Sequence, residues 1–276
     1  MMKYLILFED FDPFSHLSTK TGEEVPEPDK KTCVLGFTIK GNEKIKNPYL
    51  SLPAGYTCPH AGRCKTMAVE DPQTGAAKLK SYGDIYCYAA SDEVKYPNLR
   101  SRNWSNYKLL QAMKTKDEIY KLIEKSFDYH FGHNPPRYFR IHESGDFYGQ
   151  TYFDAWLDYT KNHPETIFYA FTTSVNLWVK RLKDIPDNFR LTASRGGKQD
   201  HLIDKHNLRY MEIVRDVEEA KKKKLNIDIN DKLASSDSKE PFAILIHGGQ
   251  PKGSEFAKYV TANRKLINDL KSKGLA

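Results

Sequence analysis

The sequence predicts an α/β protein, a partial (β/α)6 TIM-like barrel of parallel strands with an N-terminal β-ribbon extension. Three observations carry that reading. Extended apolar runs begin near residues 49, 138, 166, 189, 208 and 242, a helical or loop crossover separates each pair, and no G-x-G-x-x-G follows any of them. Strands alternating with crossovers at this spacing lie parallel with helices outside. Without the glycine fingerprint of a dinucleotide-binding turn, a partly closed barrel suits six units better than a doubly wound sheet.

At about 150 residues per domain, a chain of 276 residues makes one large domain with an appendage. We place the extension at residues 1–47 and the barrel at 48–276. Within the extension, the runs 2–8 and 32–40 read as a ribbon, separated by a Pro- and Glu-rich loop around 22–28. Tyr49-Leu50-Ser51-Leu52 is the first barrel strand and delivers the chain, past Pro53, into a turn-rich loop carrying Cys58 and Cys64. Thr115 and Glu118 form a capping box, and Ile119, Ile123, Phe127 and Phe131 then recur every four residues as one apolar helical face ending before Pro135-Pro136. The strand 138–142 follows, then a helix burying Phe153, Trp156, Leu157 and Thr160, then the strand 166–172. Ser174 caps a helix with Val175, Trp178, Val179 and Leu182 on its buried side. Pro186-Asp187 turns the chain into the strand 189–194, and a short helix near 201–203 leads to the strand 208–214. Residues 216–225 can be helical, 226–240 read as a polar loop, and 242–247 as the last strand.

Hydrophobic residues at 39% and charged residues at 29% exclude collagen-like, low-complexity and fully disordered chains. No apolar run approaches the ~18–20 residues of a membrane span, and Tyr4-Leu5-Ile6-Leu7-Phe8 stops at Glu9-Asp10, too soon for a signal peptide. The expectation is a cytoplasmic protein with no membrane partner. A net charge of +7 favours acidic partners such as DNA or RNA. The segment 98–108, with Arg100, Arg102, Trp104 and Lys108, mixes cations with aromatics as phosphate- and base-binding surfaces do, and reads equally as a helix with one packed Trp. Lys221 to Lys224 form a second basic cluster.

All four cysteines, Cys33, Cys58, Cys64 and Cys87, fall in the first third of the chain. In a reducing compartment they are free, catalytic or metal-bound rather than paired. The C-x5-C of Cys58 and Cys64, with Cys87 further on, fits three alternatives: small buried thiols, zinc completed by Cys33 or His60, or an iron–sulfur cluster. A [4Fe-4S] cluster on three cysteines would leave one iron open to substrate or cofactor, whereas structural zinc wants four protein donors.

Ligands of parallel barrels gather at the carboxyl ends of the strands, and these ends are polar here. The second strand ends in His142-Glu143-Ser144-Gly145-Asp146, where Gly145 permits close backbone approach and the Glu143 and Asp146 carboxylates are candidate catalytic groups. The third ends in Thr172-Thr173-Ser174 and the fourth in Ser194-Arg195-Gly196-Gly197, a forked guanidinium beside glycine amides that suits an anion. His247 closes the sixth, either as a ligand contact or as a satisfied barrel histidine.

The phrases Leu52-Pro53-Ala54-Gly55-Tyr56-Thr57-Cys58-Pro59, Cys87-Tyr88-Ala89, Arg140-Ile141-His142-Glu143-Ser144-Gly145-Asp146-Phe147, Phe168-Tyr169-Ala170-Phe171-Thr172 and Leu191-Thr192-Ala193-Ser194-Arg195-Gly196-Gly197 resemble the phage gene product 88 family over roughly residues 50 to 250. More distantly, the order of strand, three-cysteine loop, helix, strand and Ser144-Gly145-Asp146 resembles a radical S-adenosylmethionine enzyme. That resemblance implies a six-unit partial barrel with a four-iron cluster on Cys58, Cys64 and Cys87. It also implies an S-adenosylmethionine amino group near Gly145 and Asp146, and its ribose and carboxylate near Ser194 and Arg195. The cysteine spacing here is wider than the family's C-x3-C-x2-C, and the motif ends in Asp rather than Glu.

Overall fold

The computed structural model describes residues 33–42 and 45–273. Its centre is a six-stranded, all-parallel sheet that curls into a half-barrel. Six strands form it: β3 (Tyr138–Arg140), β4 (Ile167–Thr172), β5 (Phe189–Ser194), β6 (Tyr210–Val214), β8 (Phe242–Leu245) and β7 (Asn226–Ile227), side by side in that order. The 49–52 segment lies outside β3, where Tyr49 bridges Arg140 in parallel and Leu50 N–H donates to the Arg140 carbonyl at 3.1 Å. All six expected strand positions therefore belong to one parallel array. The closed end of the expected barrel is absent among the described residues: β3 with its neighbour 49–52 forms one rim and the two-residue β7 the other.

Alternation along the strands sorts side chains to two faces. Phe139, Phe168, Ala170, Phe189, Leu191 and Ala193 point outward into the main core. There they meet α3 (Lys116–Phe131) and α4 (Gln150–Asn162), which bring Ile119, Ile123, Phe127, Phe153 and Trp156. The capping box at the start of α3 forms as the sequence predicts, Glu118 N–H donating to Thr115 Oγ1 at 3.2 Å and Thr115 N–H to Glu118 Oε2 at 3.0 Å. Tyr169, Phe171, Phe242 and Ile244 point the other way, into the half-barrel, where Leu233 and Ala234 from the loop before β8 meet them. Arg209 fastens that loop by donating to the carbonyls of Leu233, Ala234, Ser236 and Ser238, and Arg190 donates to Ser235. The amino end of the half-barrel is thereby plugged, which leaves its carboxyl end for a site.

Between Cys64 and Cys87 lies an antiparallel hairpin that the sequence reading does not foresee, β1 (Thr66–Glu70) and β2 (Ala77–Ser81). Asp71 closes its turn by accepting from the Gln73 and Thr74 amides. α1 (Tyr88–Lys95) and α2 (Pro97–Ala112) follow, and α2 agrees with the helical reading of 98–108, with Trp104 packed on Tyr56 and Lys108 exposed, while removing Arg100 from the basic surface. Arg100 is 7% exposed and is bound to Glu70 at 2.6 Å, while Asn103 and Asn106 are buried on the same side. Three short helices connect later strands: α5 (Val175–Val179), α6 (Asp200–Lys205) and α7 (Val217–Lys222). Leu182, expected on a buried face after Ser174, is exposed beyond the end of α5. An unforeseen α8 (Ala257–Ser272) sets Leu266 and Ile267 against the core outside β8.

In the expected ribbon, the run 2–8 and the loop 22–28 lie outside the described residues. Thr38 forms a single antiparallel bridge to Tyr49 rather than a strand, and Leu35 and Phe37 are buried in the main core with α3 and α4. No described helix is long and apolar enough to cross a membrane.

Candidate functional site

A cavity of about 160 Å³ opens at the carboxyl ends of the strands. Cys58, Cys64 and Cys87 all line it, with His142, Glu143, Ser144, Gly145, Asp146, Thr173, Ser194, Arg195, Gly196 and His247. Among the expected cofactor and metal contacts, Ser174, His60 and Cys33 are not part of this lining.

The cysteine loop reaches the cavity because other loops hold it there. Arg63 N–H donates to the Gly196 carbonyl at 2.9 Å and Lys198 N–H to the His60 carbonyl at 2.9 Å. A Cβ on Gly62 would stand 2.4 Å from the Gly196 oxygen, so only glycine permits this approach. The Lys65 ammonium donates to the carbonyls of Gly55 and Cys58 at 2.5 and 2.8 Å, closing the loop on itself. His60, a reserve metal ligand by sequence, turns its Nδ1 to Gln199 at 3.0 Å.

The 142–146 turn is held just as tightly. Gly145 has φ +85°, and a Cβ there would meet Thr57 Oγ1 at 2.5 Å and Leu52 Cβ at 2.7 Å, so its close approach is to the cysteine-bearing segment of its own chain. Ser144 Oγ donates to the Leu52 carbonyl at 2.9 Å. Asp146 accepts four hydrogen bonds: Thr172 Oγ1 and Phe147 N–H on Oδ1 at 2.6 and 2.7 Å, and the Thr173 N–H and Oγ1 on Oδ2, both at 2.7 Å. Burial raises its pKa and those hydrogen bonds oppose the rise. The candidate catalytic carboxylate thus joins two strand ends through both of its oxygens. Ser174, at the N-cap position of α5, makes no side-chain cap; its hydroxyl donates to the Phe147 carbonyl at 2.7 Å.

Glu143 lies nearer the cysteines' helix: Tyr88 Oη donates to its carbonyl at 2.6 Å, and Ser51 Oγ to its Oε2 at 3.2 Å. His142 Nε2 meets Tyr152 Oη at 2.9 Å, and burial holds its pKa down to about 3, so the ring is neutral. His247 packs on Tyr88 with ring centroids 4.8 Å apart, its Nδ1 against the Leu245 carbonyl. The anion nest read at 195–197 is already filled from within. Asp204 takes the Arg195 guanidinium at 2.6 Å, and Asp200 accepts from the Gly196 and Gly197 amides at 2.8 and 3.0 Å.

The cysteines are unbridged and partly exposed. Burial pushes all three cavity thiols up, Cys87 to about 12; Asp146 adds to the rise at Cys58 and Cys64, and neighbouring thiols add to it at Cys58 and Cys87. Among the described residues no three His, Cys, Asp or Glu side chains are placed to hold a single metal ion.

Sequence reasoning missed Arg140. It lines the cavity from β3, donating through Nε to the His142 carbonyl at 2.7 Å and through Nη1 to Asp231 at 2.8 Å. Its signal was a cation inside an otherwise apolar parallel strand, a position that demands a buried partner.

Neither a curated protein nor a solved structure matches the chain. A family model does, over residues 18–268, and by that match the chain belongs to the gene product 88 family.

Proposed function

We propose that the cavity is the reactive site of an iron–sulfur enzyme resembling the radical S-adenosylmethionine type, with Cys58, Cys64 and Cys87 holding a [4Fe-4S] cluster, and that it acts on an anionic substrate. The observation that carries this is the meeting of three thiols, separated by a hairpin in the chain, on one cavity at the strand ends. Enclosed thiols whose pKa values rise become ligands only beside a cation that compensates the thiolate charge. The nearest ammonium, Lys65, is engaged by two carbonyls.

What separates a cluster from zinc here is the fourth donor. Structural zinc wants four protein donors, and Cys33 and His60, the expected fourth donors, lie outside the cavity lining. A cluster held by three cysteines needs no fourth. When bound, such a cluster supplies one-electron chemistry at an open iron. The chain's own residues then do the positioning. Asp146, Thr172 and Thr173 tie β4 to the 142–146 turn; Tyr88 and Ser51 fix Glu143; the apolar side chains of the inner face exclude water. The other reading, a zinc- or cluster-braced protein that binds DNA or RNA through Arg100, Arg102, Trp104 and Lys221 to Lys224, loses Arg100 to burial against Glu70 and keeps the exposed lysines.

The test is anaerobic purification followed by iron and sulfide analysis and a visible spectrum, repeated on Cys64→Ala. About four irons per chain and a brown colour lost on substitution are expected; a colourless parent without iron or sulfide refutes the proposal. Reductive cleavage of S-adenosylmethionine by the loaded protein tests the enzyme type.

A further inference from the structure

We infer that the inner wall of the cavity is a carboxylate subsite built on Arg140, so that the molecule it receives is a small organic acid with an apolar body. The inference rests on the cavity being the reactive site and names the chemistry of what enters it.

Arg140 is 6% exposed, deep in an apolar half-barrel, and lines the cavity. Its commitments use two of its three nitrogens: Nε to the His142 carbonyl and Nη1 to Asp231 Oδ2. Nη2 makes no hydrogen bond among the described residues. An Arg whose whole purpose is a carboxylate partner engages it with both prongs of the fork. Asp231 is engaged by one prong, and its Oδ2 also accepts from Tyr169 Oη at 3.3 Å. The guanidinium stacks 4.8 Å from the Phe171 ring, which orients the fork without consuming a donor. Nη2 is not among the buried atoms left without a partner, so it is open to the cavity rather than sealed off, and a carboxylate bound there would give it a charge-assisted hydrogen bond.

The rest of the wall is suited to an aliphatic body. Phe171, Met211, Ile213, Ile244 and Ile246 line the same cavity. The other anion-binding group read from the sequence is engaged from within: Asp204 takes both terminal nitrogens of Arg195 and Asp200 the Gly196 and Gly197 amides, which leaves only a buried Nε without a partner among the described residues. Arg140 therefore offers the cavity a guanidinium nitrogen that no internal acid has taken. The volume of about 160 Å³ is close to that of a cavity that admits benzene, which suits a compact apolar body.

Calorimetric titration of the full-length protein with hexanoate and hexanamide tests this, because the two probes differ only in head group. The expected result is at least tenfold tighter binding of hexanoate, with the preference abolished in the double variant Arg140→Gln, Asp231→Asn. Removing both charges together avoids stranding a buried carboxylate. Equal affinity for acid and amide, absence of binding by either, or an unchanged preference in a folded double variant overturns the inference. The head-group comparison in the parent protein needs no variant and decides the matter if the double variant does not fold. Iron analysis of the same samples separates the two readings. A hexanoate preference in iron-free protein keeps the subsite and removes the cluster, and an iron-loaded protein indifferent to head group does the reverse.

Discussion

Asp146→Asn is the substitution on which the architecture of the site can be tested most sharply. The two side chains have the same shape, but the carboxylate accepts on both oxygens while the amide accepts on one. Each Asp146 oxygen receives one hydroxyl and one backbone N–H: Thr172 Oγ1 with Phe147 N–H on one side, Thr173 Oγ1 with Thr173 N–H on the other. A hydroxyl can rotate and accept from the new NH₂, but a backbone N–H can only donate. Whichever way the amide turns, its NH₂ faces a buried N–H at a site where the heavy atoms stand 2.7 Å apart.

One buried donor left unmade costs about 1–3 kcal/mol, and the surviving bonds each fall from charge-assisted to neutral strength, about 1 kcal/mol apiece. The expected loss is about 3–5 kcal/mol, a large part of the ~5–15 kcal/mol that holds a domain together. Urea unfolding followed by circular dichroism measures it as a fall in midpoint at constant slope. A loss under about 1 kcal/mol would refute the reasoning, because the carboxylate would then not be the joint between β4 and the 142–146 turn.

Three further expectations can be checked with the same unfolding assay. Gly145→Ala forces a Cβ to within 2.7 Å of both Thr57 and Leu52 at φ +85°, and should cost roughly 2–4 kcal/mol from the left-handed backbone and overpacking together. Burial pushes the Glu93 carboxyl up to about 7; a folded-state pKa above the unfolded value gives stability that is full below about pH 4.5 and lost as pH rises through 7, so Glu93→Gln should be more stable than the parent by about 3 kcal/mol at pH 8 and equal to it near pH 4. His142 shows the opposite sign, since its pKa falls to about 3; the fold should lose stability as pH drops below 6.5, and His142→Gln should flatten that acid limb.

The strands were legible because each is a short apolar run between turn signals, and the parallel array followed from their alternation with crossovers. β7 was not, because two residues within a polar stretch carry no periodicity. The hairpin β1–β2 hid for a related reason: Lys78 and Lys80 on β2 alternate with half-buried neighbours, so nothing in the run is apolar enough to stand out. Arg100 was misread because a cation on a helix is ordinarily solvated. Its recurrence with Asn103 and Asn106 at every third position marks one face, and that face is buried, with Arg100 bound to Glu70 of the hairpin, Asn103 to Glu93 of α1 and Asn106 to the backbone of Gly36 and Ser51. The anion-binding chemistry at 195–197 was legible in the sequence, while its internal partners, Asp200 and Asp204 a few residues downstream, were not. The cysteines were found by composition alone. That they share a cavity depends on contacts such as Gly62 with Gly196 and Gly145 with Thr57, which no local pattern encodes.

Those contacts also decide what kind of site this is. The cysteine loop is fixed by backbone hydrogen bonds to the loop after β5, by the close approach of two glycines, and by a lysine that ties its two ends together. A loop constrained in this way presents its thiols in one arrangement and loses little freedom when they take up a ligand. At the opposite end of the half-barrel, Arg209 and Arg190 clamp the plug loop through its carbonyls, and Asp231 of that loop holds Arg140 in the cavity wall. The wall and the plug are therefore one unit. Weakening the Arg209 clamp should loosen Asp231 and disturb the cavity from its far side, although Arg209 itself does not line it. Arg209→Met should therefore weaken hexanoate binding while leaving iron content intact; simultaneous loss of both would mean that the plug supports the whole half-barrel rather than the Arg140 wall alone.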